Sequence, residues 1–183
     1  MENESMTLPS ELLKRFKTGE TFIETGAYDG RAVQQALDCG FENALSVEVS
    51  GKYWAMCTER FLGNPHVRVA LGDSLEHLPR FVAEQEDIAT IWLDSHVQEG
   101  WQGKVAVPLL QELDIIAKHS FRRDHTILID DRRLMGSSAP GWAEVTEKAV
   151  VEALLRINPA YTIVYADNKV TMYDIIVAFV EAE

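Results

Sequence analysis

The sequence is short of several things, and each shortage excludes a class of protein. Its apolar run near the C-terminus, Ile175 to Val180, falls far short of the ~20 residues that cross a bilayer. Met1-Glu2-Asn3-Glu4 offers neither the basic nor the apolar stretch of a secretory leader, so a cytoplasmic protein is expected. Cysteine is scarce: Cys39 and Cys57 have no CxxC spacing and read as small core residues of a reducing compartment, with a single bridge between them as the alternative. Positive charge is the rarer sign, with 17 Lys and Arg against 29 Asp and Glu, a net charge of −12. That balance opposes adhesion to phosphate backbones and anionic membranes, so neither nucleic acid nor membrane is expected as a partner. Repeats, low-complexity tracts and Gly/Pro/Ser linkers are also missing, and 183 residues fit a single domain spanning 1–183, with 1–8 as a frayed tail.

What is present is alternation of strand and helix patterns. Thr21 to Glu24 is a short β-branched run, followed by Val33, Ala36 and Leu37 at helical spacing up to a stop at Cys39-Gly40. Ala44 to Val49 repeats the strand signal, and Trp54, Cys57 and Phe61 stripe the next helix before Gly63-Asn64-Pro65. Val67 to Leu71, then Leu75, Leu78 and Val82, form a third unit. Ile88 to Leu93 and Thr126 to Ile129 are continuous apolar strands flanking a helix over Pro108 to His119. After the loop Gly136 to Gly141, a helix from Ala143 to Ile157 leads to Tyr161–Ala166 and Met172–Val180, joined by the turn Asp167-Asn168-Lys169. The expected fold is α/β: a doubly wound, seven-stranded Rossmann-like sheet with five parallel strands and a C-terminal antiparallel hairpin. A helix over Pro9 to Lys17 is expected to cover a sheet edge.

Ligands bind such sheets beyond the carboxyl ends of the strands. Here those ends are acidic. The first turn, Glu24-Thr25-Gly26-Ala27-Tyr28-Asp29-Gly30, has glycines for close backbone approach but not the GxGxxG of a dinucleotide site. Glu48 closes the second strand at a distance suited to accepting hydrogen bonds from ribose hydroxyls, which suggests a nucleoside-containing cofactor. Asp73 and Ser74 come after the third strand, where they either meet an adenine edge or cap the next helix. Asp94-Ser95-His96 comes after the fourth strand and Asp130-Asp131-Arg132 after the fifth. Adjacent parallel strands would bring these carboxylates together, and a hard divalent cation relieves such repulsion.

These residues, taken in order over about residues 10 to 180, resemble the class I S-adenosylmethionine-dependent methyltransferases, and within them the catechol O-methyltransferase-like, metal-dependent group. The resemblance implies S-adenosylmethionine as cofactor, bound by Glu24, Gly26, Ala27, Tyr28, Gly30, Glu48, Val49, Asp73, Ser74 and Asp94. It further implies a divalent cation, Mg²⁺ with Ca²⁺ or Mn²⁺ as alternatives, held by Asp94, Asp130 and Asp131. The other reading of those carboxylates is a turn cap at Asp130 or Asp131, with Asp94 on the cofactor amino group. The catechol enzymes carry a lysine three positions after the first metal aspartate; Val97 stands there, so His96 or Lys104 would serve as base beside Asp94. Arg31 stands near the position where a serine in that group meets the cofactor carboxylate.

Trp101 and Trp142, on glycine-flanked loops, would either stack on substrate or anchor their loops, while Arg132 and Arg133 would either read a substrate anion or pair with local carboxylates. The expected function is methyl transfer to a hydroxyl of a small molecule. The alternatives are a cofactor-binding regulatory or scaffold protein without turnover, and a metal-independent methyltransferase using His96. The oligomeric state stays open, a homodimer included.

Overall fold

A computed structural model describes residues 8–96 and 103–181. The amphipathic segments become α1 (Ser10–Arg15), α2 (Arg31–Asp38), α3 (Gly51–Arg60), α4 (Ser74–Ala83), α5 (Leu109–His119) and α6 (Glu147–Ile157). The apolar runs become β1 (Thr21–Thr25), β2 (Asn43–Glu48), β3 (Val67–Leu71), β4 (Ala89–Leu93), β5 (Thr126–Ile129), β6 (Thr162–Ala166) and β7 (Ile175–Phe179). They form one sheet in the order β3-β2-β1-β4-β5-β7-β6. β1 to β5 are parallel, and β7 runs antiparallel to both β5 and β6, as expected.

Successive strand residues point to opposite faces, so each strand feeds two cores. Ile23, Ile91, Leu93, Ile127, Ile129 and Ile176 point to the α4–α5–α6 side, where they meet Leu78, Phe81, Leu113, Ile116 and Leu154. Their neighbours Phe22, Trp92, Leu128 and Val177 point to the other side, against Leu13, Val33, Ala36 and Cys57. Burial on both faces is why β4 and β5 read as unbroken apolar runs.

Several boundaries differ from the sequence reading. α6 begins only at Glu147, because the Thr146 side chain accepts a hydrogen bond from the Ala149 N–H and caps the helix there. The β6–β7 connection runs over residues 167–174, longer than the three-residue turn, because Asn168 builds its own loop by accepting from the Val170 and Thr171 N–H groups. α1 covers a sheet face and not an edge: Leu13 and Phe16 join Phe22 and Val177, with the Phe16 and Phe179 rings 5.1 Å apart. Leu8, assigned to the tail, is buried, and its carbonyl accepts from Gln35 Nε2 at 2.8 Å. Among the described residues no helix is long and apolar enough to cross a membrane. Cys39 and Cys57 are free thiols.

Candidate active site

Strand register builds the site. Thr25 pairs with both Val47 and Leu93, and Leu93 with Ile129, so the residues just beyond β1, β2, β4 and β5 emerge along one rim. A cleft of about 270 Å³ opens there. Of the sequence-named residues, Gly26, Tyr28, Glu48, Val49, Asp73, Ser74, Asp94, His96, Asp130 and Asp131 all line it.

The first turn is held from several directions. Gly26 has φ +90, and a Cβ there would lie 2.6 Å from the Asp94 carbonyl oxygen. The Gly26 and Ala27 N–H groups both donate to the Val47 carbonyl at 3.0 Å. Tyr28 adopts φ 47, costly for a residue with a side chain, and is clamped by its N–H to Glu48 Oε2 at 2.7 Å and by Cys57 Sγ on its carbonyl at 3.1 Å. Burial pushes the Cys57 thiol up to about 12, so it acts as an inert buttress. The other Glu48 oxygen accepts from the Ser50 N–H at 2.7 Å. Burial raises the Glu48 pKa, and these backbone donors oppose the rise.

Three residues of the first motif expected to bind the cofactor, Glu24, Ala27 and Gly30, do not line this cleft. Glu24 is 1% exposed, accepts from Ser46 Oγ at 2.7 Å, and is pushed up to about 8 by burial. With Ala27 and Arg31 it borders a smaller adjoining cavity of about 40 Å³. Gly30 begins α2 with φ +79, its Cα facing Phe61 and Cys57. Arg31 pairs with Asp29 at 2.8 Å.

Asp73 caps α4 by accepting from the Leu75 N–H at 2.8 Å, and its other oxygen accepts from the Lys104 N–H. Both oxygens therefore serve backbone. The Lys104 ammonium is paired with Glu76 at 2.8 Å. Val97 and Trp101 lie outside the described residues. Trp142 is an anchor: it is 5% exposed within the core, and its ring lies 6.0 Å from that of His96.

At the far end, His96 Nδ1 lies 3.1 Å from Asp131 Oδ2 and 3.5 Å from Asp94 Oδ1. Burial pulls the His96 pKa down, but the neighbouring carboxylates of Asp94, Asp131 and Asp130 outweigh it and hold the pKa above its ordinary value. Asp131, in the left-handed region at φ 61, is raised by burial while His96 and Arg133 oppose the rise. Arg133 bridges Asp131, at 2.7 Å, and the buried Asp174. Arg132 pairs with Glu147 at 2.9 Å, so both arginines serve local ion pairs. Among the described residues, donor atoms within 4.8 Å of one another form two groups, Asp94–His96–Asp131 and Asp130–Asp131–Asp174. The three aspartates expected to share a metal are thus split between two groups joined by Asp131.

Tyr53, Ser95, Asp174 and Glu112 were not singled out from sequence. The Tyr53 ring packs 4.2 Å from that of Tyr28 on the cleft wall. Glu112 is 1% exposed beneath the cleft, accepts from Ser95 Oγ at 2.5 Å, and is pushed up to about 7 by burial. It sits on the same helical face as Leu109, Leu113 and Ile116, so a carboxylate interrupting an apolar stripe was the available signal.

No family model matches the chain, and no curated protein does. Solved structures do. An O-methyltransferase from Bacillus cereus in complex with S-adenosylhomocysteine aligns over 94% of this chain and 78% of its own, with TM-score 0.62 and 16% identity. A Staphylococcus aureus protein provisionally assigned as a caffeoyl-CoA O-methyltransferase gives TM-score 0.64 and 13% identity over 94% of this chain and 80% of that one. A Clostridium thermocellum protein provisionally assigned as an rRNA methylase gives 0.64 and 12% over 94% and 95%. The chain therefore has the class I S-adenosylmethionine-dependent methyltransferase fold. Its structural neighbours carry that fold to chemically different acceptors.

Proposed function

We propose that this protein is an S-adenosylmethionine-dependent methyltransferase acting on a hydroxyl of a small molecule, with a divalent cation orienting the acceptor. The observation that carries the reading is the line of residues along one rim: a glycine turn and buried Glu48 at one end, and the Asp94–His96–Asp131 group at the other, in a single cleft. Gly26 lets a ligand approach the backbone, and Glu48 retains lone pairs for ribose hydroxyls after accepting two N–H groups. S-adenosylmethionine supplies, when bound, an electrophilic methyl group on a sulfonium. The carboxylates favour that positive charge, and the cleft walls limit water.

The donor set fits a divalent cation, since Asp94 and Asp131 offer hard oxygens and His96 a nitrogen within one 4.8 Å group at the cleft surface. Asp94 and Asp131, with Asp130 beside them, would hold Mg²⁺, Mn²⁺ or Ca²⁺, which would lower the pKa of a coordinated hydroxyl and fix its direction. The net charge of −12 favours a small-molecule acceptor over RNA, and the free thiols accord with a cytoplasmic setting. A metal-independent variant of the reaction is favoured by one feature: Arg133 already places a cationic group against Asp131, and His96 Nδ1 faces the same carboxylate. In its neutral form, with the Nδ1–H donated to the aspartates, His96 would use Nε2 to take the acceptor proton and become the cation that those carboxylates favour.

Thermal shift and calorimetry with S-adenosylhomocysteine, NAD and ATP, in chelator and then in saturating Mg²⁺ or Mn²⁺, test the reading. S-adenosylhomocysteine should bind and NAD should not. The metals should raise the melting temperature of the wild type, and Asp131→Asn should reduce that gain while leaving S-adenosylhomocysteine affinity nearly intact; Asp94→Asn should impair both. Preference for NAD would refute the cofactor assignment. No metal-dependent stabilisation would leave the His96 route, and binding without transfer to any acceptor would leave a regulatory binder.

A further inference from the structure

We propose that β6, the open edge of the sheet, pairs antiparallel with β6 of a second copy of this chain, joining two molecules into one continuous sheet across a twofold axis. The two edges of the sheet differ in how their outer backbone groups are used. Between β2 and β3 the Ala44 N–H donates to the His66 carbonyl and the Gly72 N–H to the Glu48 carbonyl, so the even-numbered residues of β3 face β2 and the odd-numbered ones face outward. The outward carbonyls are taken: Val69 accepts from Trp54 Nε1 at 2.9 Å and Leu71 from His77 Nε2 at 3.2 Å. Arg68, paired with Glu84, adds charge to the same strand. Side-chain caps and charge of this kind keep an edge from pairing with another chain.

β6 lacks these devices. Thr162-Ile163-Val164-Tyr165-Ala166 contains no charge, proline or glycine, and it pairs with β7 on one side only. Among the described residues no side chain hydrogen-bonds to its backbone, so the N–H and C=O groups along its outer side stay open to another strand. Apolar surface follows the same edge. The Tyr165 hydroxyl donates to Glu147 at 2.7 Å, which sets the 147–151–155 stripe of α6 beside β6, and both Tyr165 and Leu155 are exposed. Val170, Met172 and Tyr173, between β6 and β7, carry the exposed apolar surface on toward Asp174 and the rim of the cleft. A second copy fits this edge better than a free peptide, because its strand is already extended and pairing avoids the peptide's ordering cost. Copies of a chain with net charge −12 repel each other, and an uncharged strand is where that repulsion is weakest. With the β3 carbonyls capped, twofold pairing through β6 closes at two molecules instead of growing into a fibre.

The test is the mass of the full chain in solution, measured by analytical ultracentrifugation. At about 100 µM, where an interface with a micromolar Kd is occupied, the wild type should have twice its 20.6 kDa chain mass. Tyr165→Lys, which keeps a partner for Glu147, and Leu155→Glu should each raise the dimer dissociation constant about tenfold or more by adding like charges on both sides of the axis. Leu62→Glu, an exposed site between α3 and β3 beside the other edge, should leave it unchanged. Hydrogen exchange adds a readout specific to strand pairing: the amides of residues 162–166 should exchange more slowly in the wild type than in Leu155→Glu at the same concentration. A single-chain mass at about 100 µM, a dissociation constant unmoved in both folded variants, or β6 amides that exchange alike in wild type and Leu155→Glu would overturn the proposal.

Discussion

Replacing Glu48 with glutamine separates its two jobs. In the wild type one carboxylate oxygen accepts from the Tyr28 N–H and the other from the Ser50 N–H, each at 2.7 Å, in a side chain only 7% exposed. Glutamine has one acceptor oxygen, so its NH₂ group must face one of these two donors. A buried N–H left without a partner costs about 1–3 kcal/mol. Relief works in the opposite direction, because burial already disfavours the Glu48 charge and the amide carries none. The net loss of stability in the ligand-free protein should therefore fall near the lower bound, about 1 kcal/mol, read by urea denaturation. Loss of hydrogen bonds to a charged acceptor should weaken S-adenosylhomocysteine binding by about 1.5–3 kcal/mol, roughly 10- to 150-fold, read by calorimetry. Unchanged affinity in a folded Glu48→Gln variant would remove Glu48 from the site. A stability loss much larger than the affinity loss would make it a clamp for the Tyr28 turn alone.

Glu24 makes stability fall from mildly acidic to neutral pH. Its pKa, about 8 when folded against 4.5 for the ordinary side chain, means the folded state holds an extra proton between those values, so stability falls as pH rises through that window. At pH 7 the cost spans about two and a half pH units at ~1.4 kcal/mol each, an upper bound of about 3.5 kcal/mol. Glu24→Gln, which keeps an acceptor for Ser46 Oγ, should be about 1–3 kcal/mol more stable than wild type at pH 7 and equal to it near pH 4.5; urea titrations showing a gap independent of pH would contradict this. Gly26→Ala combines a left-handed backbone, which costs about 1–2 kcal/mol, with a Cβ 2.6 Å from the Asp94 carbonyl oxygen. It should lower the melting temperature and abolish S-adenosylhomocysteine binding, and a variant that binds normally would show that the β1 and β4 ends can part without harm to the site.

The order of strands and helices, the parallel sheet with its antiparallel end, and the placing of Gly26, Glu48, Asp94 and Asp131 at strand ends were all legible in the sequence. The physical reason is local: apolar periodicity and glycine or proline stops report on each segment by itself, and a parallel sheet puts the residues beyond each strand on one rim. Asp73 shows the limit of that logic. Its position after β3 suits either an adenine contact or a helix cap, and only the approach of the 103–104 backbone shows both oxygens taken by N–H groups. Gly30 was read as part of the ligand turn, yet the side chains it faces, Phe61 and Cys57, come from α3 and its end.

The acidic site marks the same boundary more sharply. Asp94, Asp130 and Asp131 are visible as carboxylates on adjacent strands, but their division into two groups depends on Asp174, which β7 brings back beside β5 from the far end of the chain. Arg133 and His96 partly balance that charge through contacts that exist only once the strands are paired. Segment type and strand-end chemistry arise from neighbouring residues, so the sequence alone determined them. Which oxygens face a ligand, which accept from backbone donors and which titrate out of range depend on long-range burial and pairing, so the tertiary structure decided them.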